Sequence, residues 1–419
     1  MQQIPKSFFL FFALLMCGGY IFTFTLHDEI SAEISEVPDE MNPSKEEDFQ
    51  TLEIQTLERE NKAFRLPGVK NQTWGFVLIE SPISGLGDRF RAVVLGYHLA
   101  KLLNRSLKID GLRMWKSEDE YLDTNVVNWR MTESEKLWMK SEDRTREIFM
   151  EINWKPPLEY DKIDFERLRD VEIIVIVTNI VRMNLVAANP ILKTSPHYED
   201  FNELHQKGVL YSQALSNLFK PGKRVLPHLE KIQREHWPTI DTFRIGVHLR
   251  SGDNPTLISN SRKRAHFDDD SMQCLVMTAI SIWKEKMKSS EYKHVTFFVT
   301  ADQIDYEEDF IQRIKSHGYK IFSNKNLGDA RHISSKSADQ LRTFVDWWTM
   351  VNLHTIIMST NSGFSESASK FFCLPAYLSV RGGPCENRFR PFIEHGYCQK
   401  HFDQTFLSYA RKTEMPDKT

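Results

Sequence analysis

The C-terminal half of the chain is built from short apolar runs that alternate with longer segments of helical periodicity. Five apolar runs predict buried strands, at residues 243–249, 294–300, 319–323, 354–359 and 376–380. Four segments with apolar residues three or four positions apart predict helices, at residues 268–287, 306–317, 337–352 and 364–372. Strands that alternate with helices form a parallel sheet covered on both faces, because each helix carries the chain back across the sheet. This alternation predicts an α/β fold.

The N-terminal half begins with the same pattern. The apolar run at 74–81 predicts a strand, a glycine-rich turn at 85–87 leads into an amphipathic helix, and further strands are predicted at 106–110 and 171–178. Residues 112–170 are charged and rich in Trp without a clear period, so we assign them only to unspecified helices and loops. The N-terminal half therefore predicts a second sheet.

The length of the chain fits two domains. A chain of 419 residues with 41% hydrophobic content has enough apolar side chains for two medium cores. We expect two Rossmann-like domains that face each other across a cleft, at residues 71–235 and 236–419.

An uncharged apolar run at 7–26 has about the length needed to cross a bilayer. Lys6 precedes it and acidic residues follow it, so the positive-inside rule places a tail of residues 1–6 in the cytosol and the remainder of the chain in a lumen. Residues 27–70 are acidic and poor in aromatic residues, which is typical of a solvated stem. A cleaved signal peptide is the alternative interpretation, although the run is longer than the usual apolar region of such peptides.

Other features also fit a secretory lumen. The sequons at Asn71 and Asn104 predict N-glycosylation. Cys17 lies in the predicted anchor, and the other cysteines have spacings unlike those of zinc sites, so they predict disulfides whose pairing the sequence leaves open. These cysteines are Cys274, Cys373, Cys385 and Cys398.

Composition and missing motifs exclude several function classes. The net charge of −3 gives no field that would recruit a nucleic acid. The stretch GLGDRF at 85–90 lacks the third glycine of a dinucleotide fingerprint, which argues against a nicotinamide cofactor. The triplet 268–270 consists of aspartates but directly precedes a helical pattern, so we interpret it as an N-cap with carboxylates that complement the helix dipole rather than as a metal ligand.

The stretch IGVHLRSGDN at 245–254 predicts a ligand site. The apolar strand ends in His248, Arg250, Gly252 and Asp253, and the carboxyl ends of parallel strands are where open α/β sheets bind ligands. An arginine is permanently charged and can bind a phosphate through bidentate hydrogen bonds, and a glycine lets a diphosphate approach the backbone. The alternative is a structural Arg250–Asp253 ion pair with His248 packed in the core.

A second stretch, STNSGFSES at 359–367, follows another predicted strand and begins a helix. Hydroxyl groups, Gly363 and free backbone N–H groups at a helix start form a natural phosphate cradle, with helix capping by Ser362 or Ser365 as the alternative. Asp302 also follows a strand and is a candidate to accept hydrogen bonds from a ribose or a guanine, with helix capping again as the alternative. The segments at 245–254 and 359–367 both follow strands of one predicted sheet, so we predict that they share one diphosphate site.

Three segments together resemble one family. GVHLRSGD resembles the H-x-R-x-G-D peptide of the fucosyltransferase superfamily that includes plant xyloglucan, protein O- and core α1,6-fucosyltransferases. SGLGDRFRAVVLGYHLAKLLNRSLKID resembles their glycine-rich N-terminal segment, and VDWWTMVNLHTIIMSTNSGFSESA resembles their C-terminal motif. The likeness covers scattered motifs in the right order over about residues 74–380.

The resemblance implies a GT-B fold, GDP-fucose as the donor, inversion at the anomeric carbon and no required metal. Arg250 would then hold the β-phosphate, and His248 would contact the guanine or the ribose. Ser362, Gly363 and Phe364 would lie along the diphosphate. The sequence departs from the family pattern in TNSGF. The resemblance assigns no carboxylate as the general base, and Asp88 is our own candidate for that role.

Two classes of function follow from these observations. The anchor, the stem and the family motifs predict a Golgi type II membrane fucosyltransferase that acts on a glycan or glycoprotein acceptor. The alternative is a catalytically inactive, membrane-tethered relative that binds glycans or proteins. A sulfotransferase is a third hypothesis, but the sequence lacks a convincing phosphosulfate loop.

Overall fold

A computed structural model describes the central part of the chain. It covers residues 75–80, 85–110, 120–140, 144–151, 158–180, 182–250, 267–288, 291–328, 340–359, 362–379 and 389–391. The predicted anchor, the stem, Asn71, Gly252 and Asp253 lie outside the described residues. Within the described ranges, no helix is both long and apolar enough to cross a membrane.

Strands and helices alternate through most of the described residues. The strands are β1 (Phe76–Ile79), β2 (Ser106–Ile109), β3 (Leu122–Thr124), β4 (Arg146–Glu151), β5 (Ile173–Thr178), β6 (Phe219–Pro221), β7 (Thr242–Leu249), β8 (His294–Ala301), β9 (Ile321–Phe322), β10 (Thr355–Met358), β11 (Ala376–Ser379) and β12 (Phe389–Pro391). The α-helices are α1 (Leu86–Leu102), α2 (Glu133–Lys140), α3 (Met183–Ala188), α4 (Tyr198–Gln206), α5 (Leu210–Leu218), α6 (Leu226–His236), α7 (Asp269–Met287), α8 (Ile304–Ser316), α9 (Leu341–Val351) and α10 (Gly363–Phe371).

Two mainly parallel sheets form the framework of the fold. The N-terminal sheet has the order β2-β1-β5-β4, and all its pairs are parallel. The C-terminal sheet has the order β12-β11-β10-β7-β8-β9 and is parallel except for the pair β11–β12. A short antiparallel pair joins β3 to β6. The α/β fold with parallel sheets that the sequence predicts is therefore confirmed.

Most predicted elements are confirmed within a few residues, and the exceptions are short. The strand predicted at 319–323 is reduced to the two residues of β9, and the helix predicted from residue 337 begins at Leu341. Residues 112–170, which we had left unspecified, contain β3, α2 and β4. The antiparallel strand β12 was not predicted either.

Aromatic side chains pack the helices of both halves into one core. Phe90 of α1 and Trp347 of α9 are both fully buried, with ring centroids 4.5 Å apart. Trp347 also packs against Phe371 of α10 at 5.6 Å, and Trp348 is buried beside it. Both tryptophans therefore serve packing. The division into domains near residue 235 stays a prediction, since the largest apolar cluster includes residues from both halves.

Two of the predicted disulfide cysteines fall on described residues. Cys274 of α7 and Cys373, which follows α10, are each disulfide-bonded. Cys17, Cys385 and Cys398 lie outside the described residues, so the pairing remains open.

Candidate functional site

Polar residues follow three neighbouring strands of the C-terminal sheet. Arg250 follows β7, Asp302 follows β8 and Ser359 follows β10, and these strands are adjacent in the order β10-β7-β8. The Arg250 backbone N–H donates to Ser359 Oγ at 2.8 Å, and the Asp302 backbone N–H donates to the Leu249 carbonyl at 3.3 Å. The parallel register therefore brings these three residues together at one edge of the sheet.

The Arg250 guanidinium is oriented but remains accessible. Its Nε lies 3.9 Å from Asp302 Oδ2, and 26% of its side chain is exposed. A partly exposed guanidinium places a permanent positive charge at this edge of the sheet, and such a group suits an anionic ligand. The ion pair with Asp253 that the sequence suggested as an alternative lies outside the described residues.

His248, the last-but-one residue of β7, is buried beside the start of α10. Its Nδ1 lies 2.9 Å from Ser365 Oγ, and its ring is 5.5 Å from the ring of Phe364. Burial, reinforced by the charge of Arg250, lowers the pKa of His248 to about 3, so the imidazole is neutral at physiological pH.

Ser365 favours one tautomer of His248. The hydroxyl of Ser365 lies 2.9 Å from the imidazole nitrogen but 3.4 Å from the Ser362 carbonyl, which is its other acceptor. The shorter contact favours donation to Nδ1, which leaves the ring proton on Nε2. Such an imidazole offers a neutral N–H donor, which suits an acceptor oxygen of a ligand.

The predicted phosphate cradle coincides with the start of α10. Ser362 is the N-cap residue, but its side chain makes no capping hydrogen bond, and Ser365 bonds to His248. The simple capping interpretation of these two serines is therefore wrong. Ser365 is fully buried, so it supports His248 from behind, whereas we had expected it to line the ligand site.

Two glycines bring the starts of α1 and α10 into contact. A Cβ on Gly87 would lie 1.9 Å from the Gly363 carbonyl oxygen, a distance that no side chain tolerates. A Cβ on Gly363 would lie 3.3 Å from Asp88 Oδ1. The first glycine-rich motif thus packs against the second, and the candidate base Asp88 lies beside the candidate phosphate cradle.

The carboxylate of Asp88 belongs to a chain of ion pairs. Arg91 Nη1 lies 2.9 Å from Asp88 Oδ1, and Arg91 Nη2 lies 2.7 Å from Glu366 Oε2. Lys370 Nζ lies 2.5 Å from Glu366 Oε1. Burial opposes the charge on Arg91, but Glu366, Tyr211 and Asp88 outweigh it and raise the pKa of Arg91 above its ordinary value. Arg89, the neighbour of Asp88, is also buried, which lowers its pKa to about 10.

The remaining candidate residues lie apart from this edge. Asp268 is the N-cap of α7 and accepts from the Ser271 backbone N–H at 2.8 Å, which confirms the capping interpretation of the triplet. In the part of the chain that the structure describes, no three His, Cys, Asp or Glu side chains are grouped as metal ligands. Asn104 is half-buried in the turn after α1, with a φ of 56° that asparagine tolerates, and its glycosylation stays a prediction.

A buried polar network that we had not predicted lies below the site. Asp346 of α9 accepts from Thr300 Oγ1 at 2.7 Å, from Asn324 Nδ2 at 2.8 Å and from Arg342 Nε at 3.4 Å. Burial raises the pKa of Asp346 to about 6. The network ties α9 to the end of β8, two residues before Asp302. The signal in the sequence was a lone aspartate in an otherwise apolar stretch, VDWW.

Comparison with known proteins supports the fold. No family model matches the sequence, and a comparison with curated proteins finds no match. The structure is similar to that of an Arabidopsis thaliana FUT1 mutant in complex with GDP, with a TM-score of 0.54 and 14% identity over 83% of this chain and 82% of that chain. It is more distantly similar to the α-1,6-fucosyltransferase NodZ soaked with GDP-fucose, with a TM-score of 0.43 and 14% identity over 76% and 99% of the two chains.

The first of these similarities shows a shared fold. The chain has an α/β fold with parallel sheets that matches the fold of Arabidopsis thaliana FUT1. The family resemblance noted from the motifs agrees with this fold.

Proposed function

We propose that the protein is an inverting fucosyltransferase that transfers fucose from GDP-fucose to a glycan or glycoprotein acceptor. One observation carries the proposal: the partly exposed Arg250, the neutral His248 and the start of α10, where the Ser362 side chain makes no capping hydrogen bond, meet at the carboxyl edge of the C-terminal sheet. A guanidinium, a neutral N–H donor and the backbone N–H groups of a helix start together suit a nucleoside diphosphate. The similarity in fold to FUT1 in complex with GDP supports the same ligand.

In the proposed reaction, the acceptor hydroxyl attacks C1 of fucose opposite the departing GDP, and the bond from C1 to the β-phosphate oxygen breaks. Arg250 stabilises the charge that develops on GDP, which is where electrostatic catalysis contributes most. His248 donates from Nε2 to the nucleotide, and the start of α10 binds the diphosphate. Asp88 takes the proton of the acceptor hydroxyl. As the family resemblance implies, the reaction takes no metal ion.

The proposed location is the Golgi membrane, with residues 7–26 as a single anchor and the catalytic part in the lumen. The apolar run and the acidic stem in the sequence support this proposal. Protease treatment of sealed microsomes should leave the C-terminal part intact until detergent is added. Digestion without detergent would contradict the topology.

Calorimetric titration of the full chain in detergent with GDP and with GDP-fucose, without added metal, tests the donor site. We expect both to bind, and we expect Arg250→Ala to weaken GDP binding by about 100-fold, since a charge-assisted pair contributes about 1.5–3 kcal/mol. Arg313→Ala is the control, because Arg313 of α8 pairs with Asp269 and Asp309, which are not residues of the proposed site, and 23% of its side chain is exposed, close to the 26% of Arg250. Equal GDP binding by both variants, or none by the folded wild type, would reject the proposal.

One observation favours the inactive relative as a second candidate. The candidate base Asp88 already uses one carboxylate oxygen in an ion pair with Arg91. A protein that binds GDP-fucose but neither transfers nor hydrolyses it would be this relative. Turnover of GDP-fucose that is lost in Asp88→Asn would exclude it.

A further inference from the structure

We propose that Arg91 is a positioning residue that holds the Asp88 carboxylate at the start of α10, using Glu366 as its anchor. This inference rests on the proposed function. It concerns a row of four charged side chains, Asp88, Arg91, Glu366 and Lys370, which we call the charged row. None of the motifs in the sequence had suggested Arg91, Glu366 or Lys370.

The charged row connects the two halves of the site. Arg91 lies on α1, whereas Glu366 and Lys370 lie on α10, so the bridge of 2.7 Å between Arg91 and Glu366 crosses from one helix to the other. The contact between Gly87 and Gly363 holds the same two helix starts together. The position of Asp88 relative to α10 is therefore set by both a backbone contact and an ion-pair bridge.

The anchor end of the row is rigid. Only 2% of the Glu366 side chain and 5% of the Lys370 side chain are exposed. Lys370 Nζ also lies 5.2 Å from the centre of the Tyr211 ring of α5. Charges as deeply buried as these must remain paired, because a lone buried charge costs several kcal/mol. Glu366 therefore has little freedom, and Arg91 is held against it.

The Asp88 end of the row lies at the proposed site. The Asp88 side chain is exposed to 31% and lies beside Gly363, whose neighbour Phe364 packs against His248. Both Nη atoms of Arg91 bind carboxylates, and the row contains two cations and two anions. Arg91 is thus neutralised within the row, which favours positioning of Asp88 over direct binding of the donor phosphates.

A lysine at position 91 separates geometry from charge. Arg91→Lys keeps the positive charge, but a lysine lacks the two Nη groups with which arginine bridges the two carboxylates. For hydrolysis of GDP-fucose by the full chain, water attacks C1, the bond to the β-phosphate oxygen breaks, and Asp88 takes the proton of water. We expect Arg91→Lys to lower this turnover number by about 10- to 100-fold, the effect of displacing a catalytic group by about 1 Å. The dissociation constant of GDP should stay within about twofold of the wild-type value.

Arg313→Lys is the matched control. Arg313 also bridges two carboxylates on two helices, Asp309 of α8 and Asp269 of α7, and its side chain is exposed to 23% compared with 26% for Arg91. We expect this variant to turn over GDP-fucose like the wild type. A second test is Arg91→Lys combined with Asp88→Asn, which should lower turnover no further than Asp88→Asn alone.

Each unfavourable result has its own meaning. If Arg91→Lys and Arg313→Lys have the same turnover, or if Arg91→Lys still lowers turnover in the Asp88→Asn background, Arg91 does not act through Asp88. If GDP affinity falls along with turnover, Arg91 belongs to the donor site, and the positioning role is wrong. If the wild type binds no GDP, the proposed function itself fails. If it binds GDP without turnover, the donor site stands and the positioning role fails.

Discussion

Two pairs of polar residues, one beside each parallel sheet, differ in the partners of their side chains. Near the N-terminal sheet, the buried side chains of Arg105 and His98 bond to backbone carbonyl groups. At the carboxyl edge of the C-terminal sheet, His248 bonds to the side chain of Ser365, and Arg250 pairs loosely with Asp302 while remaining exposed to 26%. The first two residues use their polar groups within the fold, whereas part of the Arg250 side chain is exposed at the sheet edge.

The two buried histidines make this contrast clear. His98 and His248 are exposed to 1% and 4%, and burial lowers the pKa of both. His98 Nε2 lies 2.9 Å from the Leu210 carbonyl, and its ring packs between aromatic residues. Burial and a lowered pKa therefore do not identify a functional residue. His248 is a candidate because its side chain bonds to Ser365 and because it lies at the carboxyl edge of the sheet.

The largest expected effect comes from comparing Arg105 with Arg250. Arg105→Ala should lower the free energy of unfolding by about 4 kcal/mol, because it removes donors from buried carbonyls and a large packed side chain. The Leu168 and Val171 carbonyls each accept from Arg105 at 2.5 Å. Arg250→Ala should cost less than about 1 kcal/mol, since its pair is long and partly exposed.

Urea unfolding followed by tryptophan fluorescence measures both variants. If Arg250→Ala were as destabilising as Arg105→Ala, Arg250 would be a structural residue and the contrast with Arg105 would be lost. Wild-type GDP affinity of Arg105→Ala, at temperatures where this variant remains folded, would strengthen the contrast.

The histidine pair gives the next largest effect. The pKa values of His98 and His248 are lowered to about 4 and about 3, below the ordinary value of 6.5. Below pH 6.5 the two imidazoles therefore bind protons in the unfolded chain but stay neutral in the folded chain, so stability falls with acidification. Each histidine should contribute a loss of about 2 kcal/mol between pH 8 and pH 5.

Glutamine substitutions test this contribution, because the amide can still donate a hydrogen bond but does not titrate. Both His98→Gln and His248→Gln should reduce the loss of stability between pH 8 and pH 5. Only His248→Gln should also weaken GDP binding. Weaker GDP binding in His98→Gln, at a pH where the variant is fully folded, would remove the distinction between the two residues.

The parts of the fold that the sequence predicts are those with local signals. The strands β7, β8 and β10 are predominantly apolar runs, and the helices between them have clear periods, so their order and approximate bounds follow directly. The strand β4, with the sequence REIFME, has only three apolar residues between charged ones at the edge of its sheet, and this weak signal was lost among the charges of residues 112–170. The strand β12 has three residues, too few for any period.

In the candidate site, too, only the residues with a local sequence signal were predictable. Arg250, His248 and Asp302 were predictable because a strand end places them. Their partners were not predictable, because Ser365 lies 117 residues from His248 and Glu366 lies 275 residues from Arg91. Contacts over such distances depend on how α10 packs against β7 and α1. The close approach of Gly87 and Gly363, which sets that packing, has no signature in either segment alone.

Asp346 should give the smallest effect, and its pH dependence is opposite to that of His98 and His248. Burial raises the pKa of Asp346 to about 6 from the ordinary value of 3.8. Between these values the folded chain keeps a proton that the unfolded chain has released, so stability falls as the pH rises. From pH 5 to pH 7 this contribution should fall by about 1 kcal/mol.

Asp346→Asn removes the titrating group from the buried polar network and changes no residue of the proposed donor site. The variant should be less stable overall, because the asparagine amide cannot accept from Arg342, Thr300 and Asn324 at once. Because His98 and His248 add more stability between pH 5 and pH 7 than Asp346 removes, the wild type becomes more stable over this range, and Asp346→Asn should gain more stability over it than the wild type does. An unchanged slope between pH 5 and pH 7 would mean that Asp346 is ionised throughout, so that Arg342 and the two neutral donors fully offset its burial.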